Sequence, residues 1–379
     1  MKFIKAAALF TAAVLMLGGC SGTVVTADGD ALFTDGLCVY GINGRYGYIN
    51  EDGNVAIAAQ YDEASPFING NAAVKLNGKY GYINTSGDFI TLPQFDVAQS
   101  YDGKLPALVK IGTKYGYVDS KGQYLINPQF DSAGEFESAG FAVVELDGKY
   151  GLINTSGEYV AQPQYDEIGS FGNSEFAPVK VGKKMGYIDK SGKLTVELMY
   201  EDAKPFSEGL AAVMTDNGYG FINEAGEIVI PGQFDGCSVF SEGFCAVMLG
   251  GKWGYINTEG KYTVNPMYKS AGDYSEGYGW VGLPDGKHYS FVDENGELCG
   301  DEYTEPPVGF SGGYAAVTAD SGKMILIDTE FNAVTAEYDE ISVPFSDGYY
   351  IYKLDGKYGA GKLEGESNIE PLYSVLYSK

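Results

Sequence analysis

The chain has 379 residues, 51 of them acidic and 25 basic, for a formal net charge of −26 at pH 7. That balance excludes nucleic-acid recognition, which needs a basic footprint, and it favours solubility over lying flat on anionic lipid. One histidine in the whole chain leaves proton-shuttle and triad chemistry a single candidate centre.

The first nineteen residues read as an address. Lys2 and Lys5 precede an apolar run from Ala6 to Leu17, and Leu17-Gly18-Gly19-Cys20 follows directly. About twelve apolar residues are too few for a bilayer core, which takes about 20 in a helix, so a cleaved secretory signal is expected. The end of the run resembles the bacterial lipobox, which implies acylation of Cys20. The expected divisions are residues 1–19 as signal, 20–32 as lipidated cysteine and short linker, and 33–379 as one repeat domain. The expected location is extracytoplasmic, lipid-anchored at the cell membrane. Loss of the signal removes two lysines and no acid, taking the net charge to −28.

From Phe33 onward the chain repeats itself. The hairpin core Lys79-Tyr80-Gly81-Tyr82-Ile83-Asn84 recurs ten times at steps of 34 to 36 residues. The Gln94-Phe95-Asp96 and Phe206-Ser207-Glu208-Gly209 types keep the same phase. Within a copy, Ala72 to Leu76 alternates and predicts a first strand. Asn77-Gly78, like Asn43-Gly44, Asp147-Gly148, Asn217-Gly218, Asp285-Gly286 and Asp355-Gly356, predicts a two-residue hairpin turn with positive φ. Tyr80 to Asn84 is the second strand, Thr85-Ser86-Gly87 a turn, and Asp88 to Leu92 a third strand that Pro93 ends or places on an edge. Gly81 faces away from Tyr80 and Tyr82, and we expect an aromatic of the Phe95 class to cover its bare face. The fold class is therefore all-β: an array of ten three-stranded antiparallel meanders of about 35 residues, none able to bury a core alone. An open, gently twisted solenoid is the first expectation and a closed, propeller-like ring the alternative.

The fullest hairpin, Lys252-Trp253-Gly254-Tyr255-Ile256-Asn257, resembles the bacterial WG-repeat (KWG) family, and the order and spacing of the other two markers match as well. Copies eight and nine depart from it, with Tyr289-Ser290-Phe291 and Met324-Ile325-Leu326, and copy ten departs after Gly359. The resemblance implies an all-β repeat domain, often exported or lipid-anchored, and supplies no catalytic residue.

Candidate chemistry is sparse. His288 lies beside the least regular hairpin and reads as an exposed turn residue. Asp62, Asp96, Asp131, Asp166, Asp235 and Asp339 recur with the repeat, as turn or capping groups do, whereas a catalytic carboxylate pair would occur once. The turns Asn50 to Asn54 and Asp293 to Glu297 crowd oxygens around a glycine without calcium-loop spacing. No metal or cofactor is expected. Cys38 and Cys245 stand where copy six has Ala211, Cys237 where copy two has Ala64 and Cys299 where copy six has Ile230, so free packing thiols are expected, with a Cys237–Cys245 bridge as the alternative. Tyr48, Tyr82, Tyr117, Tyr187 and Tyr255 share one repeat position, and hydroxyls reaching solvent there would form an aromatic binding strip. The functional expectation is a non-catalytic, membrane-anchored scaffold for protein or glycan recognition. A structural envelope spacer, or an enzyme using carboxylates of copies eight to ten, are the alternatives.

Overall fold

A computed structural model describes residues 31–101, 104–364 and 368–377; the signal and Cys20 lie outside them. Among the described residues every strand pair is antiparallel, and no helix is long and apolar enough to cross a membrane. Copy two shows the pattern. Asn71–Leu76 pairs with Lys79–Asn84 through Val74 opposite Gly81, and Lys79–Asn84 pairs with Phe89–Phe95. Asn77 and Gly78 both have positive φ (53° and 81°), as the Asn-Gly turn requires. Copies one, four and ten repeat that turn. The other two Asn/Asp-Gly pairs do not make it. In copy six the loop is Asp216-Asn217, because Thr215 pairs with Gly218, and in copy eight Gly282 pairs with Tyr289 across a longer loop.

Most meanders gain a fourth strand that the sequence reading lacked. Glu63–Ala64 pairs with the free side of copy two's first strand, Glu63 opposite Lys75 and Ala64 opposite Val74. It follows Val55–Tyr61, the third strand of copy one, after one intervening residue. Eight of the ten described sheets are four-stranded; copy six keeps a single Ala203–Val213 bridge, and copy nine retains two strands. A two-residue strand is too short to carry a period, which is why alternation does not reveal it.

The strand glycine has a different cause from the one expected. Between Tyr80–Phe95 and Tyr82–Thr91 one residue, Gly81, faces three, Leu92, Pro93 and Gln94. This bulge folds main chain over the glycine. A Cβ on Gly116 would sit 2.6 Å from both the Ile126 carbonyl oxygen and the Pro128 nitrogen, and one on Gly151 would sit 2.5 Å from the Ala161 carbonyl oxygen. Backbone, not an aromatic ring, covers the bare face. The recurrent proline is explained by the same geometry. Its nitrogen lies 2.6 to 2.8 Å from that Cβ site, where an N–H would point into a closed bulge, so proline removes a donor with no acceptor. Copy one has Ala59 there, and its N–H donates to the Tyr40 hydroxyl at 3.0 Å. In copy eight Ser290 replaces the glycine and its hydroxyl donates to the bulge carbonyls of Cys299 and Asp301. In copy nine Ile325 replaces it, and no third strand forms. Rings do face strand glycines in copy ten, where Tyr350 and Tyr352 pair with Gly361 and Gly359.

Hydrophobic clusters lie between copies rather than within them. Tyr165, Phe171 and Ile188 join copies four and five; Tyr200, Phe206 and Ile222 join five and six. Stability is accordingly a sum over neighbours. One cluster joins copies nine, ten and one, including Leu326, Tyr373 and Tyr40. The last strand, Val375–Tyr377, completes the sheet of copy one, with Val39, Tyr40 and Gly41 opposite Tyr377, Leu376 and Val375. The expected array of repeats is present, and its two ends complete one another as the ring alternative requires.

Candidate functional site

The five tyrosines of the anticipated strip are interior. Tyr48, Tyr82, Tyr117, Tyr187 and Tyr255 are at most 2% exposed. Their hydroxyls donate to the carbonyls of Ser65, Gln99, Gly134, Lys204 and Gly272, each at 2.7 Å and each seventeen residues onward in the next copy. The strip therefore does not reach solvent. Strand alternation turns these rings between neighbouring sheets, and their length brings the oxygen to the next copy's main chain. Burial pushes all five phenols well above the ordinary range. Tyr117→Phe should leave the Gly134 carbonyl without its donor and cost about 1–2 kcal/mol with the fold intact. A denaturation midpoint unchanged from wild type would reject this role.

The recurrent aspartates bind turns, as expected. Asp62, Asp96, Asp131, Asp166, Asp235 and Asp339 accept the hairpin-turn N–H of Gly78, Gly112, Asp147, Gly182, Gly250 and Asp355 in the following copy, at 2.6 to 3.1 Å. The first four also pair with Arg45, Lys79, Lys114 and Lys149, each seventeen residues earlier. In these four copies the basic residue that opens the hairpin thus belongs to a cross-copy relay. Sequence reading missed it, although the constant separation of seventeen was visible. The lysine first, and then the turn N–H, hold Asp96, Asp131 and Asp166 below the usual carboxylate range. Their depressed folded values mean stability that is present above the unfolded value of about 4 and lost as pH falls through the folded one. The wild-type unfolding midpoint should drop on acidification below about pH 4, and Asp131→Asn should weaken that drop. An identical pH profile for the variant would refute the relay.

The oxygen-rich turns and several further acids are engaged as well. Asn84 Oδ1 accepts the N–H groups of Ser86 and Asp88, and Asp293 Oδ1 those of Asn295 and Glu297, at 2.8 to 3.0 Å. The oxygen-rich turns are thereby explained as side chain–backbone turns. Across copies, Glu242 accepts Glu276 N–H at 2.7 Å and Gly277 N–H at 2.8 Å, and Glu276 accepts Gly313 N–H at 2.8 Å. His288 is partly exposed, with Nδ1 2.5 Å from Asp285 Oδ2 in the same loop. Among the described residues, no three His, Cys, Asp or Glu side chains are placed to hold a metal ion. Cys38, Cys237 and Cys245 are buried free thiols, and Cys299 is partly exposed. Desolvation lifts Cys237 to about 11 and Cys245 to about 12, which makes them poor nucleophiles.

The most exposed large apolar side chains lie along the third strands. Leu92, Leu372, Met199, Val55, Leu125 and Ile228 are 54 to 70% exposed, and all six are third-strand residues. Residue identity changes from copy to copy there, while the interior positions repeat.

The comparisons agree with this architecture. The crystal structure of a eukaryotic initiation factor is similar at TM-score 0.52 and 12% identity, covering 90% of this chain and 96% of that one. The computationally designed Ika8 protein matches at TM-score 0.40 and 10% identity (84% and 97% covered). BamB from Moraxella catarrhalis matches at 0.36 and 12% (73% and 87%). Only the first is close enough to bear on the fold, and it bears on nothing else. No curated protein matches the chain. The family model of the WG containing repeat matches residues 46–80, 80–115, 115–150, 150–184, 185–219, 219–253, 253–287 and 326–358. The stretch it passes over holds the Ser290 and Ile325 replacements. With well over half its length matched, the chain belongs to the WG-repeat family.

Proposed function

We propose that this chain is a non-catalytic recognition scaffold, held outside the cytoplasm by a lipid on Cys20, whose exposed third-strand edges bind a protein or glycan. The observation that carries the reading is the division of labour among side chains. Recurrent tyrosines, aspartates and asparagines bond to main chain, whereas large apolar side chains such as Leu92, Leu125 and Met199 stand exposed on edges that differ between copies. A rigid frame carrying variable edge positions is the arrangement recognition proteins use. The spacer alternative is less well supported, because a chain whose ends pair with each other does not extend across a gap.

The test is capture from the cell's own envelope extract with residues 23–379, beside a variant carrying Leu92→Ser, Leu125→Ser and Met199→Ser. Recovery of one defined protein or glycan by the wild type and its loss with the folded variant is the expected result. Equal recovery by both would reject the edges as the binding surface.

A further inference from the structure

The closure of the array contains one seam unlike the other junctions. Elsewhere the short strand runs on through a loop into the first strand of its own sheet, as Glu63–Ala64 does into Asn71–Leu76 and Ser132–Ala133 into Phe141–Leu146. At the seam Val375–Tyr377 follows Asn368–Tyr373 after one residue, as short strands do elsewhere, but it and the Leu37–Ile42 strand it pairs with lie at opposite ends of the chain, with no loop joining them. Val375–Tyr377 takes the short-strand place on copy one. Ser374 donates from both N–H and hydroxyl to the Gly41 carbonyl, each at 2.9 Å, and the Tyr377 hydroxyl donates to the Ala64 carbonyl. Gly41 permits this approach, since a Cβ there would lie 3.0 Å from Val375 Cβ. Behind the strand, Tyr40 meets Tyr373 edge-on at 5.2 Å, the Gly53 turn rests on Ile369, and Phe33 N–H donates to Asp347 at 3.1 Å.

The two faces of this seam are different surfaces that fit each other, and they lie on opposite ends of one chain. Faces of that kind bind head to tail, and they bind equally well when they belong to two molecules. We infer that the seam is exchangeable: the edge of Leu37–Ile42 is a docking site for Val375–Tyr377 of a second copy of this chain. Copy ten of one molecule then stacks on copy one of another, and reciprocal exchange gives a closed dimer in which the seam contacts form twice, each time between two molecules. Within one molecule the seam forms at an effective concentration on the order of millimolar, so exchange is favoured when chains fold together at high concentration and is then trapped.

The experiment refolds residues 23–379, with Cys299→Ser removing the partly exposed thiol, from denaturant at rising concentration, and reads mass by light scattering after size exclusion. A second protein adds Val39→Cys and Tyr377→Cys, which face each other in register, and is oxidised as a monomer before the same treatment. The dimer-to-monomer ratio of the first should rise severalfold for about a tenfold rise in concentration, and the locked protein should stay monomeric. Monomer at every concentration overturns the inference. Dimer in both proteins also overturns it, because another surface would then be responsible.

Discussion

Gly116→Ala is expected to destabilise copies three and four by about 3 kcal/mol or more, at the upper end of overpacking effects. The added methyl would lie 2.6 Å from the Ile126 carbonyl oxygen and from the Pro128 nitrogen. Both are main-chain atoms, so no side-chain rotation relieves the overlap. The bulge would have to straighten, and straightening shifts the register that places Phe130 opposite Tyr115. Phe130 packs with Tyr117 and Phe136 in the cluster between copies three and four, so the damage would cross the junction. Gly78→Ala is the control. Gly78 has φ 81° with nothing near its Cβ site, which leaves only the strain of positive φ, about 1 kcal/mol. Urea denaturation of the two variants ranks them, and a loss for Gly116→Ala no larger than for Gly78→Ala would refute the bulge as the reason for the glycine.

The two natural exceptions agree with that ranking. Ser290 tolerates the position because its oxygen can hydrogen-bond the crossing carbonyls, while Ile325 has no such option and its copy lacks the third strand. Here the sequence was legible to a definite depth. Gly81 announced a close approach, since an interior strand glycine has few other uses. What approached was hidden, because a bulge is a count of one residue against three, and neither strand records the count in its own alternation. The tyrosine position shows a second limit. Its recurrence predicted one shared role, but the acceptor is a main-chain carbonyl, and Ser65, Gln99, Gly134, Lys204 and Gly272 have nothing in common as side chains. Asp96 and its counterparts were readable as turn groups because turn chemistry is local and composition-dependent. The termini were half legible: the repeats begin mid-unit at Phe33 and end with Tyr373, which allowed the ends to complete one another, but the short strand Val375–Tyr377 that joins them was hidden.

Deleting residues 374–379 should therefore weaken one junction and leave the others unchanged. The deletion removes the three register pairs with Val39, Tyr40 and Gly41, two Ser374 hydrogen bonds and the buried Leu376 side chain. Burying a leucine contributes about 2 kcal/mol and each hydrogen bond about 1 kcal/mol, so the seam would lose several kcal/mol and keep mainly Tyr40–Tyr373 and Gly53–Ile369. Because the clusters are confined to neighbouring copies, nothing in copies four to seven touches the missing strand. Amide exchange should accordingly speed up by orders of magnitude in Leu37–Ile42 and Tyr349–Leu354, with protection retained in Lys149–Asn154 and Lys252–Asn257. Uniform loss of protection around the array would mean that the copies unfold as one unit, against the neighbour-by-neighbour packing. Unchanged exchange in Leu37–Ile42 would mean that the last strand does not hold the ends together. The distinction matters for recognition as well, since the exposed edges present one fixed spacing only while the ends remain joined.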